Sequence, residues 1–325
     1  MDNGGGILAL ACTKSNTLLW ARMMNPVISK EGVSLMLLSQ LPRSPHDWAK
    51  ALCSVPCWQL TPEALLPAAS AHDDAWLVLF GKALDARDLA QVARLLADHE
   101  VEASLYPLGE QAGVPLLLLG ANRFSPELVQ AIKGQEWDID VCHLAILPTL
   151  GEPGLLVMDM DSTAIRIECI DEIARLAGVG DQVAAVTAAA MQGKLEFADS
   201  LRSRVALLEG APVTILDEVA AAMPWMPGLQ LMVDTLKQSG WTVAIASGGF
   251  TRFAGELQQA LGLDAIFANE LAVEGGLLTG KVSGRIVDAA VKAEVLQQLA
   301  RQHEIPVAQT VAVGDGANDL KMMGV

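Results

Sequence analysis

The chain has 325 residues, with 22 Lys and Arg against 38 Asp and Glu, for a formal net charge of −16. That balance repels nucleic acid and anionic membrane, so neither is a favoured partner, and an anionic substrate would need a local positive site. Hydrophobic residues make up 52% of the sequence, enough for a sizeable core in two or three domains, yet no apolar run approaches the roughly 20 residues of a transmembrane helix.

From the N-terminus, Ile7 to Cys12 is an apolar run superficially like a secretory signal, but Met1 to Gly4 carries no Lys or Arg and the run is too short. The five cysteines, Cys12, Cys53, Cys57, Cys142 and Cys169, are odd in number and lack a paired CxxC framework, which points to reduced thiols in a soluble cytoplasmic protein. Cys53 and Cys57 could share a helix face, but no neighbouring Cys or His pair completes a zinc site. Met23 and Met24 leave a later translation start as an alternative to Met1. Residues 1–74 hold scattered Pro and Trp without a clean period and form a poorly defined N-terminal region.

The pattern sharpens over residues 75–150. Trp76 to Phe80 predicts a strand, Asp85 to His99 an amphipathic helix, and Val101 to Tyr106 and Val114 to Leu119 two more strands. Ser125 predicts the N-cap of a helix to about Ile132, and Ile139 to Ile146 a last strand. The order βαββαβ defines an α+β, ferredoxin-like sandwich. It resembles small regulatory domains of the ACT type, which implies an amino acid effector here; a plain interaction or packing role is the alternative.

Thr149 to Gly154, with two glycines and a proline, predicts a boundary. Residues 151–325 then read as α/β. Leu155 to Met158, Thr242 to Ala246, Ala265 to Ala268 and Thr310 to Val313 are β-rich runs separated by helical patterns, the signature of a doubly wound parallel sheet. A long Ala-rich helical insertion, about residues 167–223, exceeds a simple crossover and predicts a cap over the strand ends. Glu274-Gly275-Gly276 marks a small hairpin between Leu271 and Val282.

The most informative residues follow the first of these strands: Asp159-Met160-Asp161-Ser162-Thr163. In an extended chain the i, i+2 spacing puts both carboxylates on one face, at the strand end where open α/β sheets hold ligands. Such a pair can flank a sugar, ligate a metal, or divide nucleophilic and proton-transfer work, so alone it does not choose a chemistry. Three further segments lie at the same sheet edge. Ser247-Gly248-Gly249-Phe250 offers a hydroxyl and backbone N–H groups as a phosphate cradle. Lys292 supplies a compact positive charge, and Gly314-Asp315-Gly316-Ala317-Asn318-Asp319 brings acids suited to Mg²⁺. Ser247 as a hydrolase nucleophile fails the Gly-x-Ser-x-Gly test, because Ile245-Ala246 precede it. His46, His72, His99, His143 and His303 show no ligand or triad spacing.

In this order, the four segments resemble the motifs of the haloacid dehalogenase superfamily of phosphohydrolases. Glu168, Met191 to Phe197 and Ser200-Leu201-Arg202-Ser203-Arg204 narrow the resemblance, over about residues 150–320, to the phosphoserine phosphatase family, in its bacterial form with an ACT-like extension. The resemblance implies Mg²⁺-dependent hydrolysis of O-phospho-L-serine to L-serine and phosphate, the last step of serine biosynthesis. It makes Asp159 the nucleophile and Asp161 the general acid and base. It assigns Mg²⁺ to Asp159, a backbone carbonyl of Asp161, and Asp315, with Asp319 behind the metal. Ser247, the Gly248 amide and Lys292 would hold the phosphoryl oxygens, with Asn318 ordering that side. Arg204 would clamp the substrate carboxylate, Glu168 accept its ammonium group, and Met191 and Phe197 exclude water; Arg202 is a surface partner. The alternatives are a phosphatase for another small phosphometabolite and an inactive amino acid-binding protein.

The sequence departs from the family at its end. It stops at Val325, six residues after Asp319, where the family continues through a helix and further sheet-edge structure. An exposed apolar sheet edge, prone to aggregation or partner pairing, is the expectation. The sequence sets no oligomeric state.

Overall fold

The short N-terminal apolar run forms strand β1 (Leu8–Ala11) in the computed structural model, which describes residues 8–11, 36–41, 52, 57–68, 74–111, 114–144, 147–192 and 195–325. Cys12, Met23, Met24, His46, Cys53, His72 and Ile146 lie outside the described residues. The chain divides between Leu147 and Pro148 into two compact units, with β1 belonging to the second.

In the first unit the elements are β2 (Met36–Leu37), β3 (Cys57–Leu60), β4 (Ala64–Ala68), β5 (Ala75–Phe80), α1 (Ala86–Asp98), β6 (Ala103–Gln111), β7 (Val114–Ala121), α2 (Pro126–Lys133) and β8 (Asp140–Leu144). Strands β5 to β8 with α1 and α2 give the expected βαββαβ order, and their sheet runs β6-β7-β5-β8, all antiparallel, as a ferredoxin-like sandwich requires. Both helices start where their caps dictate. Asp85 and Asp88 form a capping box at α1, and Leu128 N donates to Ser125 Oγ over 3.1 Å at α2. Leu89, Val92, Ala93 and Leu96 of α1 and Leu128 and Ile132 of α2 share one core with Leu77, Leu79 and Leu119 of the sheet.

Two expectations are corrected here. Residues 36–68 add β3, β4 and β2 beyond β6 to make a seven-stranded sheet, so the first unit runs straight across residue 75. Fully buried Trp58 anchors this extension, its Nε1 donating to Leu52 O over 3.1 Å. Val101 belongs to a helix-ending turn, not to a strand: Val101 N donates to Leu96 O over 2.9 Å and Glu100 takes the left-handed conformation at φ 55.

The second unit holds β9 (Leu155–Met158), α3 (Cys169–Leu176), α4 (Gly180–Met191), α5 (Phe197–Ala206), α6 (Thr214–Ala221), α7 (Leu229–Gln238), β10 (Thr242–Phe250), α8 (Thr251–Leu261), β11 (Ala265–Glu274), β12 (Leu277–Ser283), α9 (Ala289–Gln302), β13 (Thr310–Gly314) and the one-turn α10 (Leu320–Met323). The sheet order is β1-β13-β9-β10-β11-β12, parallel throughout except for β12. All four residues of β9 are buried, which is why it reads as an unbroken apolar run: helices cover both faces of a parallel sheet. Leu155 and Val157 pack with Val295, Leu296 and Leu299 of α9, and the pleat turns Leu156 and Met158 to the opposite side.

Helices α3 to α6 fill the predicted insertion. Its entry and exit are laced together, with an antiparallel bridge between Ile165 and Trp225, Arg166 N donating to Pro224 O and Met226 N to Ala164 O, both over 2.9 Å. Its far corner is fastened to the β11–β12 hairpin: Gly210 N donates to Leu278 O over 2.9 Å and Leu278 N to Ala211 O over 2.8 Å. The hairpin pairs Leu271 with Val282 and turns through Gly275 and Gly276 at φ 58 and 81, conformations that favour glycine.

Candidate active site

Register explains why segments separated by more than a hundred residues meet. Met158 pairs with Ile245 on one side and Val313 on the other, so Asp159, Ser247 and Gly314 leave the sheet at nearly one height. Asp159 N donates to Val313 O over 2.8 Å, which fixes the first residue past β9. Its carboxylate is buried and doubly held: Oδ1 accepts from Met160 N at 2.7 Å, and Oδ2 pairs with Lys292 Nζ at 2.8 Å.

Lys292 rises from the first turns of α9 with 0% exposure, and Nζ also reaches Asp319 Oδ1 at 2.7 Å. Burial alone would lower the amine's pKa, but the flanking Asp159 and Asp319 carboxylates outweigh it and hold the group above its ordinary value. Asp319, also at 0% exposure, has its carboxyl pushed up chiefly by burial and spends Oδ2 on Gly316 N at 3.0 Å. Asp315 stands exposed at the rim, with Thr163 Oγ1 donating to its Oδ1 over 3.2 Å. Asp159, Asp315 and Asp319 each offer an oxygen within 4.8 Å of the others. Hard anionic oxygens at that spacing fit a divalent cation such as Mg²⁺.

A cavity of about 180 Å³ opens beside this group, lined by Asp159, Asp161, Glu168, Phe197, Arg204, Ser247, Gly248, Asp315 and Asn318 among others. Asp161 Oδ1 is buried without a hydrogen-bond partner. Burial first, and the Glu168 charge second, push the Asp161 carboxyl from the usual 3.8 up to about 8, so it holds its proton at neutral pH. Ser162 Oγ donates to Glu168 Oε1 over 2.7 Å from a left-handed backbone at φ 54. On α5, Phe197, Leu201 and Arg204 share one helix face toward the cavity. The Arg204 Nε is buried and unpartnered, and burial lowers the guanidinium pKa against the pull of Asp171, Glu168 and Asp161.

The phosphate-cradle segment is built tightly. Ser247 Oγ accepts from Gly249 N at 2.9 Å. A Cβ at Gly248 would stand 2.6 Å from Phe197 Cζ, and one at Gly249 would stand 2.5 Å from Met160 Cε and 2.9 Å from Asp161 Oδ2. Only glycine lets this loop pass between the cap and the paired acids.

Three sequence expectations change. Met191 is 86% exposed at the end of α4 and does not line the cavity, because the inward face of the cap is supplied by α5. Lys292 lies behind Asp159 and is held by two carboxylates, not open to the cavity. Asp319, expected behind the metal, stands in the metal-competent group itself. Arg202 pairs with Asp199 on the surface at 3.1 Å, as expected. Sequence reasoning missed Thr163, Ile170, Leu201 and Asn269; the last carries a signal, since a buried Asn inside a strand is unusual.

Strand order, cap position and the acidic pair at a strand end place the protein among hydrolases of one superfamily. The haloacid dehalogenase-like hydrolase family matches residues 156–324, and the chain belongs to it. Among curated relatives, the phosphoserine phosphatase of Vibrio cholerae is 54% identical over 186 residues, which are 57% of this chain and 57% of that one. The phosphoserine phosphatase of Haemophilus influenzae is 53% identical over 188 residues, 58% of this chain and 60% of that one. The chain thus spans less than two thirds of either relative's length. The crystal structure of an unliganded probable phosphoserine phosphatase from Vibrio cholerae aligns with a TM-score of 0.57 at 42% identity, over 77% of this chain and 75% of that one.

Proposed function

We propose that the cleft hydrolyses O-phospho-L-serine to L-serine and phosphate through a phosphorylated Asp159. One observation carries the choice of substrate: the unpartnered Arg204 guanidinium shares the cavity of about 180 Å³ with Glu168 and with the two acids. A cation and an anion in one cavity match the carboxylate and ammonium of an amino acid. The relatives named phosphoserine phosphatase support the same reading.

Asp159 would attack phosphorus in line, forming one P–O bond as the ester P–O bond breaks and its electron pair passes to the serine oxygen. Asp161, protonated at neutral pH, gives that oxygen its proton. As a carboxylate it then takes a proton from water, whose oxygen attacks phosphorus; the bond to Asp159 breaks and phosphate leaves. Lys292 pairs with the buried Asp159 carboxylate at 2.8 Å and offsets the approach of two anions. Ser247 Oγ and the cradle amides would receive the phosphoryl oxygens. Asp159, Asp315 and Asp319, with backbone carbonyl help, would hold Mg²⁺, which when bound supplies charge neutralisation at the phosphoryl group. Phe197 and Leu201 exclude water from the cavity.

The test is phosphate release from L-phosphoserine with Mg²⁺, beside EDTA and an Asp159→Asn variant. Metal-dependent release that the substitution abolishes is the expected result. Release that survives Asp159→Asn, or none from folded protein, overturns the reading.

A further inference from the structure

The cradle needs glycine at two consecutive positions for space, and that requirement creates a weakness. A peptide flanked by two glycines can rotate between two orientations at little steric cost. Because the peptide unit is planar and trans, rotation of the Gly248–Gly249 unit would exchange its N–H for its C=O. At present Gly249 N donates to Ser247 Oγ over 2.9 Å, which orients the one hydroxyl of the cradle. A flipped unit would turn a carbonyl oxygen toward that hydroxyl and toward any bound phosphoryl group.

The β10–β11 ladder shows where the restraint comes from. Ala246 pairs with Phe267, and the next pair is Phe250 with Asn269, so the cradle residues bulge out of β10 and leave ladder groups without backbone partners. Asn269, 1% exposed, fills the gap with its side chain: Nδ2 donates to Gly248 O over 2.8 Å. Its Oδ1 accepts from Val287 N at 2.9 Å, and Val287 immediately precedes Asp288, the N-cap of the helix bearing Lys292. One buried amide therefore holds the cradle carbonyl and the root of the lysine helix together.

We infer that Asn269 is a positioning residue for phosphate binding, which locks the Gly248–Gly249 peptide with its N–H toward Ser247 and ties the cradle to the start of α9. The role rests on the phosphoserine reading above. Asn269→Asp keeps an acceptor for Val287 N but loses the donor to Gly248 O; Asn269→Ala removes both without burying a charge. Calorimetric titration with orthophosphate and, separately, with L-serine compares each variant with the wild type, after a cooperative melt has shown which variants are folded. The loss of one buried hydrogen bond predicts orthophosphate binding weakened about tenfold in the folded variants, with L-serine binding unchanged. Equal weakening of both ligands, or orthophosphate binding as in the wild type, overturns the positioning role. Wild-type protein that binds orthophosphate without turning over phosphoserine would sink the substrate reading alone, while wild-type protein that binds no orthophosphate would sink both.

Discussion

The two ends of the cleft are built on opposite terms. At the sheet end every charge has a partner: Lys292 meets Asp159 and Asp319 at 2.8 and 2.7 Å, and the remaining carboxylate oxygens accept backbone N–H groups. At the cap end Arg204 Nε is buried with nothing to bond, and so is Asp161 Oδ1, two residues past the nucleophile. A buried polar atom without a partner costs about 1 to 3 kcal/mol, so the cap end spends stability that the sheet end does not. The contrast separates a preorganised nucleophile from two groups, the Asp161 acid and the Arg204 clamp, that the ligand completes.

The severest challenge to the sheet end is Asp159→Asn, which removes the nucleophile and is expected to reduce phosphate release to background. Asp161→Asn should lower turnover by about 10²- to 10⁴-fold, the usual worth of a general acid. Its stability effect has the opposite sign. With its pKa raised from 3.8 to about 8 in the folded protein, the Asp161 contribution is fully present below pH 4 and is lost as pH rises through 8. Melting at pH 8 should therefore find Asp161→Asn more stable than the wild type, and wild-type turnover should fall as pH passes 8. A variant melting at a lower temperature would contradict the cost assigned to the buried Asp161 carboxyl.

Arg204→Met probes the other buried orphan. Losing a charge-assisted clamp should weaken L-phosphoserine use about 10- to 100-fold in kcat/KM, while the melting temperature holds or rises. A large loss of stability instead would mean that Arg204 serves the fold. The smallest expected effect belongs to Met191→Ala: within about 0.5 kcal/mol in stability by urea titration, as for exposed positions generally, and none on turnover. A drop in turnover there would return Met191 to the cavity.

The sheet end was legible in the sequence, and the cap end less so. Parallel strands in matched register carry their C-terminal residues to one height, so Asp159, Ser247 and Asp315 could be assembled by noting where apolar runs stop. Nothing comparable fixes which helix of the cap faces inward; α5 and α4 both carry apolar residues, and packing chose α5 over Met191. Strands β2 to β4 escaped because they are two to five residues long and β4 contains Pro67, which gives no period to read. Asn269 escaped for a different reason: its work answers a bulge in the neighbouring strand, and a bulge is invisible until the ladder is drawn.

The cap is fastened at the Ile165–Trp225 stem, at the corner where Gly210 and Ala211 meet Leu278, and through Asp217 of α6, which Arg252 of α8 reaches at 2.9 Å. Mechanically, a plate held at a third point in addition to two pins is braced against swinging about the line that joins them. Arg204 stands two residues from the end of α5 and six before Gly210, so the short run of chain that carries the guanidinium ends at one of the braced corners.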